Sequence, residues 1–124
     1  MIKVSVIVPI YNVGNYIKKT VCSLFEQTIS DVEYIFVDDC STDNSPNIVK
    51  PYVDNDNRIK YIRAKSNQGV SHARNLALKE AQGQFIAFLD SDDIWNEDKL
   101  EKQICFMNEK NLINYEHDFR FCIQ

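Results

Sequence analysis

The run Phe85-Ile86-Ala87-Phe88-Leu89 passes without a break into Asp90-Ser91-Asp92-Asp93. Few architectures accommodate that junction. A short apolar run bounded by turn-forming residues reads as a strand buried on both faces. The carboxylates at its C-terminal tip then stand at the mouth of an open α/β sheet, where such folds bind ligands. Acids this close repel and raise one another's pKa unless a positive charge lies between them. A hard divalent cation held by oxygen ligands, often shared with a phosphate, is the usual answer.

The remaining text supplies the sheet. Val4-Ser5-Val6-Ile7-Val8-Pro9 and Tyr34-Ile35-Phe36-Val37 read as further buried strands, and Ile59-Lys60-Tyr61-Ile62 alternates as a fourth. Between them lie helical patterns. One opens at Gly14 or Asn15 with a stripe of Ile17, Val21, Leu24, Phe25 and Thr28. The next starts at Ser45-Pro46, serine as N-cap and proline in the first turn, with Pro51 predicting a short or distorted helix. A third runs from about Val70 to Gln82, with Val70, Ala73, Leu76, Ala77 and Ala81 facing inward and Gly83 as a C-cap stop. The last runs from about Glu97 to Lys110, capped by Asn96. Strands alternating with helices predict right-handed crossovers and a Rossmann-like, three-layer α/β/α domain with a mostly parallel sheet. After Leu112 only a weak strand pattern remains, from Phe119 to Ile123.

Length and composition set limits. A chain of 124 residues is one domain at most. Its net charge of −4 argues against a nucleic-acid partner, which wants a basic face. Met1-Ile2-Lys3 leads straight into a strand-like run with no small-residue cleavage site, so no signal peptide is expected. No apolar stretch approaches the ~20 residues of a membrane span. Cys22, Cys40, Cys105 and Cys122 are widely spaced, which predicts neither zinc site nor disulfide but small, buried or half-buried side chains in a reducing cytoplasm.

Two common phosphate grips are missing. The residues after the first strand, Ile10-Tyr11-Asn12-Val13-Gly14, lack Gly-x-Gly-x-x-Gly, and no Gly-Lys-Ser/Thr ending occurs. A phosphorylated ligand would therefore need a metal, and Asp90 to Asp93 is the dense ligand set. A second acidic tip, Asp38-Asp39, is placed to accept a hydrogen bond from a ribose hydroxyl or a base N–H, with Asp39 the better aimed of the two. Tyr11 can lie flat against a base, and the fork of Arg74 can reach a base or phosphate oxygen.

Four segments together carry a family resemblance: Val4 to Asn12, Val37 to Asp43, Asn67 to Asn75, and Phe88 to Trp95. The chain resembles the N-terminal, nucleotide-sugar-binding half of family 2 glycosyltransferases, inverting enzymes of GT-A fold. The likeness covers residues 1–112, with residues 113–124 a divergent or truncated tail. Cys40 stands where the family usually has glycine. The resemblance implies that Pro9 and Tyr11 line the base pocket, that Asp39 binds a pyrimidine edge and that Arg74 contacts the nucleotide. Asp90-Ser91-Asp92 would be the family's D-x-D element. Asp90 would lie by the ribose, and Asp92, helped by Asp93, would hold Mg2+ or Mn2+ against the donor's diphosphate.

The implied reaction is transfer of a sugar from a nucleotide diphosphate donor, a UDP-sugar foremost, to a hydroxyl of a glycan, lipid-linked or protein acceptor in polysaccharide or glycan biosynthesis. The implied place is the cytoplasm, with peripheral association at the inner face of the membrane compatible. The family's general base lies downstream, in an acceptor-binding half. Glu116 and Asp118 are the carboxylates of the tail, and neither reads as a working base. The alternative is thus a truncated chain that binds donor without completing transfer. A haloacid-dehalogenase-type phosphatase fits worse, because its Asp-x-Asp follows the first strand and is followed by Thr or Ser, whereas Asp93-Ile94 follow here.

Overall fold

The computed structural model describes residues 1–90, 93–109 and 121–123. Its elements are β1 (Val4–Ile10), α1 (Ile17–Phe25), β2 (Val32–Asp38), α2 (Ser45–Asn55), β3 (Ile59–Arg63), α3 (Val70–Glu80), β4 (Phe85–Phe88), α4 (Lys99–Glu109) and β5 (Phe121–Ile123). The strands form one sheet in the order β3-β2-β1-β4-β5. Every pairing is parallel. β5 pairs with β4 where the weak pattern from Phe119 predicts a strand.

The alternation of a strand sorts the side chains onto two faces. In β1, Val4, Val6, Val8 and Ile10 join a large cluster with Leu24 of α1, Val49 of α2 and Leu100 of α4. Ile7 points the other way, into a smaller cluster with Ile35, Ile86 and the alanines Ala73 and Ala77 of α3. Among the described residues, three helices thus cover one face and α3 the other. The small side chains of α3 let its backbone come close to the sheet. Burying a β-branched side chain on either face contributes about 1.5–3 kcal/mol.

Four local expectations are corrected. Ser45 is not the N-cap of α2. Asn44 holds that position, and the Ser45 hydroxyl is buried, accepting the Val13 N–H at 3.0 Å. The capping work falls to Asp43, whose carboxylate accepts the Ser45 N–H at 2.9 Å. Pro51 does not shorten α2, which continues to Asn55. Pro51 is exposed, so water can meet the carbonyl that its missing N–H leaves free. Val70 is 49% exposed rather than inward-facing, because it opens the first turn of α3 and lines a cavity there. Gly83 is not a helix stop, since α3 ends at Glu80. A Cβ at Gly83 would lie 2.5 Å from the Ser5 amide nitrogen, so the glycine is there for close passage against β1.

Cys22, Cys40 and Cys105 are free, the first two half-buried and Cys105 exposed instead of packed. No helix among the described residues is long and apolar enough to cross a membrane.

Candidate functional site

The strand order runs outward from β1 to β2 and β3, then returns to place β4 on the other side of β1. Ligands of open α/β sheets bind at such a switch point, beyond the carboxyl ends of the strands. A cavity of about 430 Å3 lies there. Pro9 and Tyr11 line it from the end of β1, Asp39 from the end of β2, and Asp90 from beyond β4. Tyr11 is 44% exposed, leaving a ring face available. Four of the residues expected at a nucleotide site therefore meet around one cavity.

The two acids after β2 have separate tasks. Asp38 is fully buried. One of its oxygens accepts the Ser41 N–H at 2.7 Å, and the other takes the Tyr61 hydroxyl and the Arg63 guanidinium, the latter at 3.1 Å. Burial, then the hydrogen bond to Asp38 and its charge, push the Tyr61 hydroxyl up to about 12. Asp39 faces the cavity. Its two oxygens accept the backbone N–H groups of Gln68 at 3.1 Å and Gly69 at 2.9 Å. This pins the loop before α3 to the tip of β2, and each oxygen keeps a lone pair for an incoming donor. Gly69 has φ +96, a conformation glycine adopts without strain, and it directs the chain into α3.

Two non-glycine residues also have left-handed backbones, Asn12 at φ 51 and Cys40 at φ 67. Each directly follows a cavity residue, Tyr11 or Asp39. Position 40 has a positive φ, a backbone that suits glycine better than cysteine. The Asn12 carboxamide oxygen accepts the N–H groups of Thr42 at 2.8 Å and Asp43 at 3.2 Å, tying the loop after β1 to the loop after β2.

Arg74 lies on α3, and its guanidinium is 3.5 Å from an Asp90 carboxylate oxygen. The guanidinium also rests 5.1 Å over the Phe88 ring. Its Nε is buried, with no hydrogen-bond partner among the described residues. The sequence predicts neither the Arg74–Asp90 pair nor the stacking, because the residues are 16 positions apart on different elements. The pair is exposed enough that its net worth is well under about 1 kcal/mol, so either partner can turn to a ligand at little cost.

Asp92 lies outside the described residues, as do Glu116 and Asp118. Asp93 is exposed, and its N–H donates to the Asp90 carbonyl at 3.0 Å. Among the described residues no three metal-ligating side chains converge. The side chains of the Asp90-Ser91-Asp92-Asp93 sequence offer only oxygen donors, three of them carboxylates, the chemistry that suits Mg2+ or Mn2+.

The segment after the tip is held by α1. The Thr20 hydroxyl donates to the Asp93 carbonyl at 2.7 Å, and the Ser23 hydroxyl accepts the Trp95 N–H at 3.3 Å. The Gln27 side chain donates to the Asn96 carbonyl at 2.7 Å and accepts the Leu100 N–H at 3.2 Å. Trp95 is 9% exposed and packs in the larger core cluster. Sequence reasoning passes over Thr20 and Ser23 of α1 and Gln27 just past its end, since polar side chains on or beside a helix normally signal a solvent face. Burial of Thr20, Ser23 and Gln27 is the signal that identifies them.

With this geometry in place, likeness to known proteins is informative. The family model "Glycosyl transferase family 2" matches residues 5–119. The chain is 50% identical over 108 residues to the "Putative teichuronic acid biosynthesis glycosyltransferase TuaG" of Bacillus subtilis, covering 87% of this chain and 43% of that protein. It superposes on S. aureus TarS 1–349 in complex with UDP-GlcNAc with TM-score 0.82 and 40% identity, over 89% of this chain and 32% of TarS 1–349. It also superposes on the mannosyltransferase PcManGT from Pyrobaculum calidifontis, in complex with GDP-Man and Mn2+, with TM-score 0.80 and 28% identity, over 85% of this chain and 32% of that one. The chain thus spans about half or less of the length of the proteins it matches.

Proposed function

The chain belongs to glycosyl transferase family 2, and from that premise we propose that residues 1–112 are the donor-binding unit of a hexosyltransferase. The enzyme moves a sugar from a nucleoside diphosphate to an acceptor hydroxyl. The observation that carries this reading is the single cavity at the switch point, which has an aromatic ring, a base-facing carboxylate and the acidic tip of β4 on its walls.

Each residue has a role that follows from its chemistry. Pro9 and Tyr11 offer apolar surface to a base. Asp39 can only accept, so it selects a base that presents an N–H on its pairing edge, as uracil does at N3. The 40% identity to TarS, crystallised with UDP-GlcNAc, supports a uridine donor over the guanosine donor of the more distant PcManGT. Asp90 accepts from a ribose hydroxyl. Arg74, released from Asp90, turns its fork to the nucleotide. Asp92 and Asp93 would hold Mg2+ or Mn2+, which when bound supplies the positive charge that stabilises the departing diphosphate. The acceptor is a glycan, lipid-linked or protein hydroxyl.

A second reading is donor binding by these 124 residues without completed transfer; they match a region that is 43% of the length of TuaG. In the resemblance the general base lies downstream of the region matched here.

Calorimetry of the full chain with UDP and Mn2+ tests the first reading. Binding should require the metal, and Asp92→Ala should weaken it by about 100-fold, as loss of a charged ligand of a hard cation does. Metal-independent binding, or an indifferent Asp92→Ala, would defeat it. A transfer and donor-hydrolysis assay then separates the two readings, because sustained sugar transfer by the 124 residues removes the second.

A further inference from the structure

Arg63, the last residue of edge strand β3, does not line the cavity, yet it closes a hydrogen-bonded path to the cavity wall. One guanidinium nitrogen lies 3.1 Å from Asp38 Oδ2, and the other donates to the Ser41 carbonyl at 3.1 Å. Asp38 Oδ1 in turn accepts the Ser41 N–H at 2.7 Å. Ser41 is therefore held at both ends of its backbone by the Asp38–Arg63 pair. Its hydroxyl then accepts the Asn12 N–H at 3.1 Å.

The two residues this path fixes are the left-handed ones, Cys40 at φ 67 and Asn12 at φ 51. Non-glycine residues persist in that region only where their surroundings over-determine them. The clamp supplies that determination. Asp39 is the neighbour of Cys40 and Tyr11 the neighbour of Asn12, so the two strained turns set where the two base-facing side chains stand. The planar fork of arginine spans a carboxylate and a carbonyl at once, which the single ammonium of lysine does not.

We propose that Arg63 is a positioning residue for the nucleotide base, acting through Ser41 on Asp39 and Tyr11. This rests on the donor-binding reading above. It makes a prediction that a general role in stability does not: the effect of losing Arg63 falls on the base half of the ligand and spares the phosphate half.

The test is calorimetry of the full chain with two probes, UDP with Mn2+ and pyrophosphate with Mn2+, on the wild type, Arg63→Met and Arg63→Lys. Arg63→Met should weaken UDP about tenfold, the scale of a small misplacement of contacting groups, and pyrophosphate by less than about twofold. Arg63→Lys should fall between, and it carries the same comparison if Arg63→Met does not fold. Unchanged UDP affinity, or equal weakening of UDP and pyrophosphate, overturns the proposal while leaving the donor-binding reading intact. A wild type that binds neither probe overturns both.

Discussion

Strand β2 carries a buried carboxylate at each end, and the two are built alike. Glu33, its second residue, accepts the Ser5 hydroxyl at 2.5 Å and the Gln82 N–H at 2.6 Å, and pairs with Lys60 at 3.1 Å. Asp38, its last, accepts Ser41 and Tyr61 and pairs with Arg63. Each takes its cation from the neighbouring strand β3. The surroundings differ. Around Glu33, at the amino ends of the strands, Gly83 passes against Ser5 and donates to its hydroxyl at 2.7 Å. That cluster welds strands together. Around Asp38, at the carboxyl ends, the partner Ser41 lies in the turn that follows Asp39 of the cavity wall. One chemical device thus serves cohesion at one end of the sheet and placement of ligand-facing groups at the other, and position in the fold decides which.

The sharpest way to break this comparison is to remove each carboxylate. Asp38→Ala strands the buried Ser41 N–H and the half-buried Tyr61 hydroxyl and removes the partner of Arg63, and should cost about 3 kcal/mol in urea unfolding, together with most of the UDP affinity. Glu33→Ala should cost about 2 kcal/mol and leave the affinity of the folded protein within about twofold. If both variants lose affinity equally, the division of labour is wrong.

A gentler probe is pH. Burial raises the Glu33 carboxyl, but the Ser5 hydroxyl, the Gln82 N–H and Lys60 outweigh burial and hold it below its ordinary value of 4.5. A lowered carboxyl stabilises the fold above the unfolded value and ceases to do so as pH falls through the folded one. Stability should therefore drop below pH 4.5, and Glu33→Gln should flatten that slope. The other end answers in alkali. Tyr61, raised from 10.0 to about 12, contributes fully below pH 10 and loses its contribution as pH rises through 12. Tyr61→Phe should flatten the alkaline limb, which the raised Tyr34 and Tyr52 hydroxyls share, and leave the acid limb in place.

The smallest effect sharpens the picture of the turn. Cys40→Gly removes a left-handed strain of about 1 kcal/mol, partly offset by the freedom glycine adds to the unfolded chain. Melting should rise by about 2–3 °C. A fall would mean that the Cys40 thiol, 4.0 Å from Arg63, contributes more than the strain costs.

Much of this was legible in the letters, for identifiable reasons. β-branched runs such as Val4 to Val8 have no other use than buried strands, and their alternation with amphipathic segments dictates a parallel sheet. The acidic tips at Asp39 and Asp90 follow from where those runs end. What stayed hidden depends on contacts distant in sequence. That Asp38 turns into the core, leaving the cavity to Asp39, is set by Tyr61 and Arg63, more than 20 positions away. Gly83 looks like a helix stop until the backbone of Ser5 is seen beside it. The Arg74–Asp90 pair joins a helix to a strand tip that only the switch in strand order brings together.

The polar seam of α1 has a consequence of its own. An apolar stripe tolerates small slips, since dispersion contacts are nearly indifferent to direction, whereas the hydrogen bonds made by Thr20 and Ser23 of α1 and by Gln27 just past its end are not. They remove the sliding freedom of the segment that follows the acidic tip. The alignment of that tip is thereby registered to a helix more than 60 residues earlier in the chain. A shift of α1 along its axis, from whatever cause, would carry the Asp93 backbone with it, while β4 stayed fixed in the sheet.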